Sequence, residues 1–233
     1  MTTMVAARNQ PSPILSQVRS GAENSMSKYK TLTPALLRKA ETHLRQSDRV
    51  MAKLIDKHGP CTLARRPFDL FHTLVVSIIS QQLSANASDT IERRIAECVP
   101  YPFNAEDMIC VPPERLRGAG LSARKVAYIR GLAERVHDRL LSYETLASKS
   151  NDEVMAALMD LPGIGQWTAE MFLIFGLKRP DVLALGDAGL QRAAKMLYPR
   201  ASSNGNALEK VSERWKPYRS VASWYLWRHL DGT

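Results

Sequence analysis

The chain has 233 residues, with 32 Lys and Arg against 23 Asp and Glu, a net charge of +9 and a pI near 9.6. That length suits one domain or two small lobes around a full core, and the basic balance favours an anionic partner, nucleic acid before membrane. No apolar run approaches the roughly 20 residues of a membrane span, and Cys61, Cys98 and Cys110 are too few and too scattered for a four-thiolate iron–sulfur cluster.

Residues 1–30 are rich in Gln, Ser, Asn and Pro and lack the apolar centre of a signal peptide. They read as a flexible lead to a single domain over 31–230, in a protein of the cell interior: cytoplasm or nucleoid, or nucleus in a eukaryote. Leu36, Leu37, Ala40 and Leu44 share one face of a first helix, and Val50, Leu54 and Ile55 mark a second that ends near Gly59 and Pro60. Pro67 and Phe68 open a third, in which Phe71, Leu74, Val75, Ile78 and Ile79 keep helical spacing until Ser80-Gln81-Gln82 interrupts the apolar face. A helix over 84–98 turns Ala87, Ile91 and Ile95 inward.

The stretch 101–113 is looser, punctuated by prolines, with Asn104 able to cap a short helix. LRGAGL at 116–121 reads as a Gly-rich turn, and Ser122 caps a helix that runs through Val126, Ile129, Leu132 and Val136 to Leu140. Ser150 and Glu153 form a capping box at the head of another. A helix follows Asp187 as far as Tyr198, then a polar loop over 199–206, a helix carrying Leu208 and Val211, and a last helix from Pro217 to about His229. Nothing alternates like a strand, so the fold is expected to be all-α.

The centre of the chain is LPGIGQWTAEMFLIFGLKRPDVLALGD, residues 161–187. Val154, Ala157, Leu158 and Leu161 bring one apolar helix face up to Pro162, which removes a backbone donor, and to Gly163 and Gly165, which let another backbone approach closely. A second helix starts near Gln166 and stops at Gly176. Free N–H groups at its head suit an anion, and beside a basic chain that anion is a DNA phosphate. Asp187 opens the next helix. Taken alone, an Asp in that place is an ordinary N-cap.

Three motifs in order make the pattern specific. The hairpin LPGIGQWTA with the loop DVLALGD resembles the helix-hairpin-helix superfamily of DNA glycosylases. IISQQLS at 78–84 is similar to the segment those enzymes push into the duplex, and ERWKPYRSVASWYLW at 213–227 is similar to the closing segment of the 3-methyladenine (alkylpurine) branch. The resemblance implies the helix-hairpin-helix glycosylase fold: two helical lobes with the active-site cleft between them and no iron–sulfur cluster. Lobe A would comprise 31–60 with 200–230, and lobe B 61–199 with the hairpin at 154–176. Related clusters sit after the catalytic Asp, and no Cys follows Asp187 here. The residues before Thr31 leave no room for the β-rich N-terminal domain of some relatives.

The resemblance also implies chemistry. Asp187 would be the catalytic carboxylate, stabilising an oxocarbenium-like sugar and orienting or deprotonating water. Trp167 stands where bifunctional members carry a lysine. An indole forms no Schiff base, so the enzyme would be monofunctional and leave an abasic site. Trp167, Trp227, Gln81 and Met171 would form the base pocket, the indoles stacking on an electron-poor alkylated base. Gln82 would fill the gap left by the flipped nucleotide.

Gly163, Gly165 and Thr168 would hold phosphate, and Lys125 and Lys178, with Arg124, Arg179 and Lys216, are further candidates for DNA contact. No cofactor is required, though carbonyls of Met159, Leu161 and Ile164 would hold a monovalent cation (Na+ or K+). No second titratable group stands out beside Asp187, which favours bases that already carry positive charge, 3-methyladenine or 7-methylguanine. The partner would be double-stranded DNA with alkylated bases, without a membrane, met by a monomer. Two alternatives stay open: a glycosylase for uracil or an oxidised base, and a non-catalytic hairpin module that only holds DNA.

Overall fold

The computed structural model describes residues 29–65, 70–202 and 206–232. Apart from Tyr29 and Lys30, the expected flexible lead lies outside them. Among the described residues every regular element is a helix, and most begin at a polar side chain that accepts a backbone N–H. Thr33 caps α1 (Pro34–Ser47) and Asp48 caps α2 (Arg49–His58). After α3 (Leu70–Ser80), Ser84 caps α4 (Ala85–Ile95), Asn104 caps α5 (Ala105–Cys110), and α6 (Pro113–Gly118) follows. Ser122 then caps α7 (Ala123–His137) and Ser142 caps α8 (Tyr143–Ala147). Ser150 and Glu153 bond reciprocally at the head of α9 (Asn151–Met159), as the capping box requires. Each such cap is worth about 1 kcal/mol, which is why single polar residues set these boundaries.

Several boundaries differ from the sequence reading for local reasons. Pro67 and Phe68, expected to open the third helix, lie outside the described residues. Residues 113–118 form α6 rather than turn, because Pro113 sits at a first helical position, where its missing N–H costs nothing. The turn is confined to the residues just after it. Beyond α7, Arg139 takes φ 59° and the helix ends three residues before Leu140. The second hairpin helix, α10 (Gln166–Met171), widens into a π turn over Phe172–Gly176.

The remaining helices are α11 (Ala188–Leu197), α12 (Pro199–Ser202), α13 (Ala207–Ser212) and α14 (Arg219–Asp231), the last beginning two residues after Pro217. They pack in two groups. One contains α3, α5, α7, α9 and α10; the other gathers α14 with α1, α2, α11 and α13. Helix α11 therefore sits with the terminal helices, and the change of group falls at Asp187 rather than at residue 199. Trp215, Trp227, Tyr225, Phe103 and Phe172 are the largest side chains sealed in the core.

The terminal group is stitched by a buried carboxylate, Asp48. Asp48 Oδ1 accepts from Val50 and Met51 N–H, while Oδ2 accepts from the Tyr198 hydroxyl at 2.9 Å and Trp215 Nε1 at 3.0 Å. The same carboxylate thus starts α2 and joins it to chain about 150 residues later. Burial beside Asp48 pushes the Tyr198 phenol upward. Asp48→Ala removes the cap and strands two buried donors, so it should cost about 3–5 kcal/mol and roughly 10 °C in Tm. Asp48→Asn, which still offers an acceptor oxygen, should cost less. Equal melting curves for wild type and Asp48→Ala would refute this role.

Candidate active site

Asp187 is 2% exposed and receives three N–H donors from three elements. Leu190 N donates to Oδ1 at 2.7 Å, closing the cap of α11. Trp227 Nε1 from α14 donates to the same oxygen at 3.1 Å, and Trp167 Nε1 from α10 donates to Oδ2 at 2.7 Å. A carboxylate offers about four acceptor positions. The one left, on Oδ2, is free to take a proton from water or to face a developing positive charge.

The loop that delivers Asp187 is fixed to α14. Asp181 forms a bidentate pair with Arg219 at 2.7 and 2.9 Å, and Val182 N donates to Ser220 Oγ at 3.0 Å. Gln191 Nε2 from α11 reaches back to Leu185 O at 2.7 Å. Polar side chains of α11 and α14 thus hold the loop's extended backbone, which has no helix of its own. Sequence inspection gave no signal for these ties, because each partner is remote along the chain or looks like ordinary surface polarity.

The hairpin's two glycines have different jobs. Gly163 has φ 84°, and a Cβ there would lie 2.1 Å from the Tyr128 ring, so its missing side chain is replaced by a tyrosine from α7. Gly165 heads α10 with open space around the position of a Cβ. That is the geometry a ligand's close approach needs. Gln82 is exposed at a turn with φ 59°.

Other candidates fall elsewhere. Gln81 does not line a pocket through its amide, which donates to Gly163 O at 2.8 Å and Thr168 Oγ1 at 3.0 Å. Thr168 is 2% exposed, so its hydroxyl serves that tie rather than a phosphate. Lys125 Nζ donates to Ile79 O at 2.7 Å and Gln81 O at 2.8 Å, and burial lowers its pKa. Lys178 is buried, with Nζ 3.3 Å from Ala64 O. Arg179 is buried too, donating to Ala147 O and Lys149 O and lying over the Tyr29 ring. Lys178 and Arg179 are interior struts, and the half-buried Lys125 spends its ammonium on backbone carbonyls. Lys216 is exposed and pairs with Glu213 at 2.8 Å, and Arg124 is exposed.

Trp167 is half-buried, whereas Trp227 and Met171 are closed off from solvent, Trp227 stacking with Phe175 at 5.5 Å. A cleft of about 430 Å³ is lined by Tyr128, Leu132, Leu161, Pro162 and Ile164 and does not include Asp187. Leu161 O accepts from Ile164 N at 3.1 Å inside the hairpin turn.

A second acid of the hairpin, Glu170, is also buried, which the sequence reading of a lone carboxylate did not anticipate. It lies on α10, one turn after Trp167, and is 7% exposed. Gln166 Nε2 donates to it at 2.9 Å. Burial pushes its pKa up, and the negative charge of Asp187 adds to that rise. Its spacing of three from Trp167 was the available signal, hidden because an acid on a hairpin helix looks like solvated surface.

The chain is similar to proteins of one family. The family described as HhH-GPD superfamily base excision DNA repair proteins matches residues 75–217. The alkylbase DNA glycosidase-like protein mag2 of Schizosaccharomyces pombe is 31% identical over 199 residues, covering 82% of this chain and 92% of that protein. DNA-3-methyladenine glycosylase 1 of the same yeast is 32% identical over 203 residues, covering 82% and 87%. Among solved structures, the yeast 3-methyladenine DNA glycosylase Mag1 in complex with abasic DNA superposes with a TM-score of 0.70 at 30% identity, covering 83% of this chain and 97% of that one. A DNA-3-methyladenine glycosidase from Bacillus halodurans gives 0.64 at 37% identity, covering 86% and 90%.

Glu170 makes stability depend on pH in a stated direction. Its carboxyl holds a proton to higher pH folded than unfolded, so its contribution is full at low pH. That contribution is lost as pH rises above the ordinary glutamate value near 4.5 toward the raised one. Glu170→Gln keeps the shape and the bond from Gln166 but cannot ionise. As pH rises above about 4.5 its Tm should fall less than that of the wild type; parallel Tm curves would refute the assignment.

Proposed function

The chain belongs to the HhH-GPD superfamily of base excision DNA repair proteins, and from that membership we propose that it is a monofunctional DNA glycosylase acting on alkylated purines in double-stranded DNA. It hydrolyses the N-glycosidic bond of bases such as 3-methyladenine and 7-methylguanine and leaves an abasic site, inside the cell. The observation that carries this reading is the buried Asp187 carboxylate gripped by two indoles, with one acceptor position open. A module that only held DNA would need the hairpin but not that carboxylate.

The steps follow from the residues. The head of α10 at Gly165 takes a phosphate through backbone N–H, a contact that positions DNA without reading sequence. Extruding the damaged nucleotide costs a few kcal/mol of stacking and pairing, part of which Gln82 recovers by filling the gap. Asp187 then stabilises positive charge on the sugar and orients or deprotonates the attacking water through Oδ2. Trp167 supplies no amine, so water is the nucleophile.

The substrate class rests on the relatives' activities and on the indole of Trp167 beside Asp187, since Glu170 removes the argument from a solitary acid. The half-buried Trp167 ring offers the π face that an electron-poor base prefers. A sodium or potassium ion held by carbonyls of Met159, Leu161 and Ile164 would stiffen the hairpin and add positive charge near the phosphate. Leu161 O keeps a second lone pair for it.

Among the described residues no helix is long and apolar enough to cross a membrane. The test is release of bases from alkylated duplex, identified by chromatography. Asp187→Asn should lower single-turnover release by about 10²–10⁴-fold while binding to undamaged duplex persists. Near-normal turnover by that variant would remove Asp187 from the mechanism.

A further inference from the structure

Helix α7 reaches both loops that the proposed function turns toward DNA. The Lys125 ammonium meets Ile79 O at 2.7 Å and Gln81 O at 2.8 Å, carbonyls at and just beyond the C-terminal end of α3. A helix leaves its last carbonyls without partners, and its C-terminal dipole attracts a cation. The next residue, Gln82, is exposed with φ 59°, a conformation a non-glycine side chain adopts only when its surroundings enforce it. Tyr128, one helical turn after Lys125, occupies the space a side chain at Gly163 would need. Gln81 closes the circuit through its amide bonds to Gly163 O and Thr168 Oγ1.

We propose that Lys125 is a positioning residue for base extrusion, fixing the left-handed turn that presents Gln82 and, with Tyr128, setting that turn at a constant distance from the hairpin. Lys125 touches neither DNA nor the reacting atoms. The inference rests on the glycosylase reading, with Gln82 as the residue that enters the duplex. A loosened turn raises the cost of holding the nucleotide out and leaves the bond-breaking step untouched. The loss should therefore depend on how hard the nucleotide is to extrude, which a general weakening of the fold would not produce.

The experiment measures single-turnover release of an alkylated base from two duplexes. In one the lesion faces its normal partner, and in the other it faces an abasic analogue, so that no pairing has to be broken. Lys125→Met should slow release from the paired duplex about tenfold or more, and change the unpaired one by no more than about twofold. Lys125→Arg, which keeps the charge and the donors, should recover most of the paired rate. Circular dichroism checks folding, and Lys125→Gln serves for the same comparison if the Met variant does not fold. Equal slowing on both duplexes, or none on either, overturns the proposal. Wild-type protein that releases no base from either duplex would instead overturn the glycosylase reading beneath it.

Discussion

A carboxylate 2% exposed to water requires compensation from its surroundings, and Asp187 receives it from both groups of helices. Trp167 approaches from the hairpin side and Trp227 from the terminal side, while the head of α11 supplies a backbone N–H. Removing any one donor would leave charge uncompensated, so the arrangement ties the relative position of the two groups to the state of a single side chain. The remaining architecture serves that meeting point. Asp181 and Val182 anchor the approach loop to α14, and Asp48, Tyr198 and Trp215 hold α2 to the C-terminal part of the same group.

Much of this was legible along the chain where the cause is local. Ser150 with Glu153, Ser122, Asn104 and Asp187 each cap the helix that their spacing predicts, because an N-cap acts over three residues. The hairpin followed from Pro162, Gly163 and Gly165 for the same reason. What the sequence concealed is non-local. Nothing within the loop announces that Gly163 is required by a tyrosine 35 positions earlier in the chain, or that Trp227 aims its N–H at Asp187, 40 positions away.

Charge was the least reliable guide. A chain with net charge +9 invites every lysine and arginine to be read as a DNA contact, yet Lys125, Lys178 and Arg179 each turn a donor nitrogen to the protein's own backbone carbonyls. Long cationic side chains cross apolar packing and end on carbonyls that helix termini and loops leave unpaired. Composition reports the total charge and says nothing of which cations face outward. Composition is equally silent on Glu170, an acid that lies buried on the second hairpin helix.

If indole donors from both groups of helices hold Asp187 in its working orientation, removing one N–H should slow chemistry without loosening the grip on DNA. Trp167→Phe is the most conservative case, since the half-buried position keeps an aromatic ring while the bond to Oδ2 is lost. The measurement is single-turnover release of an alkylated base, beside affinity for undamaged duplex and a melting curve. A fall of about ten- to a hundredfold in release, with affinity for undamaged duplex nearly unchanged and Tm lowered by about 5 °C, is the expected result for one hydrogen bond lost from a buried charged group. Release at the wild-type rate would contradict it and reduce the indole contact to packing.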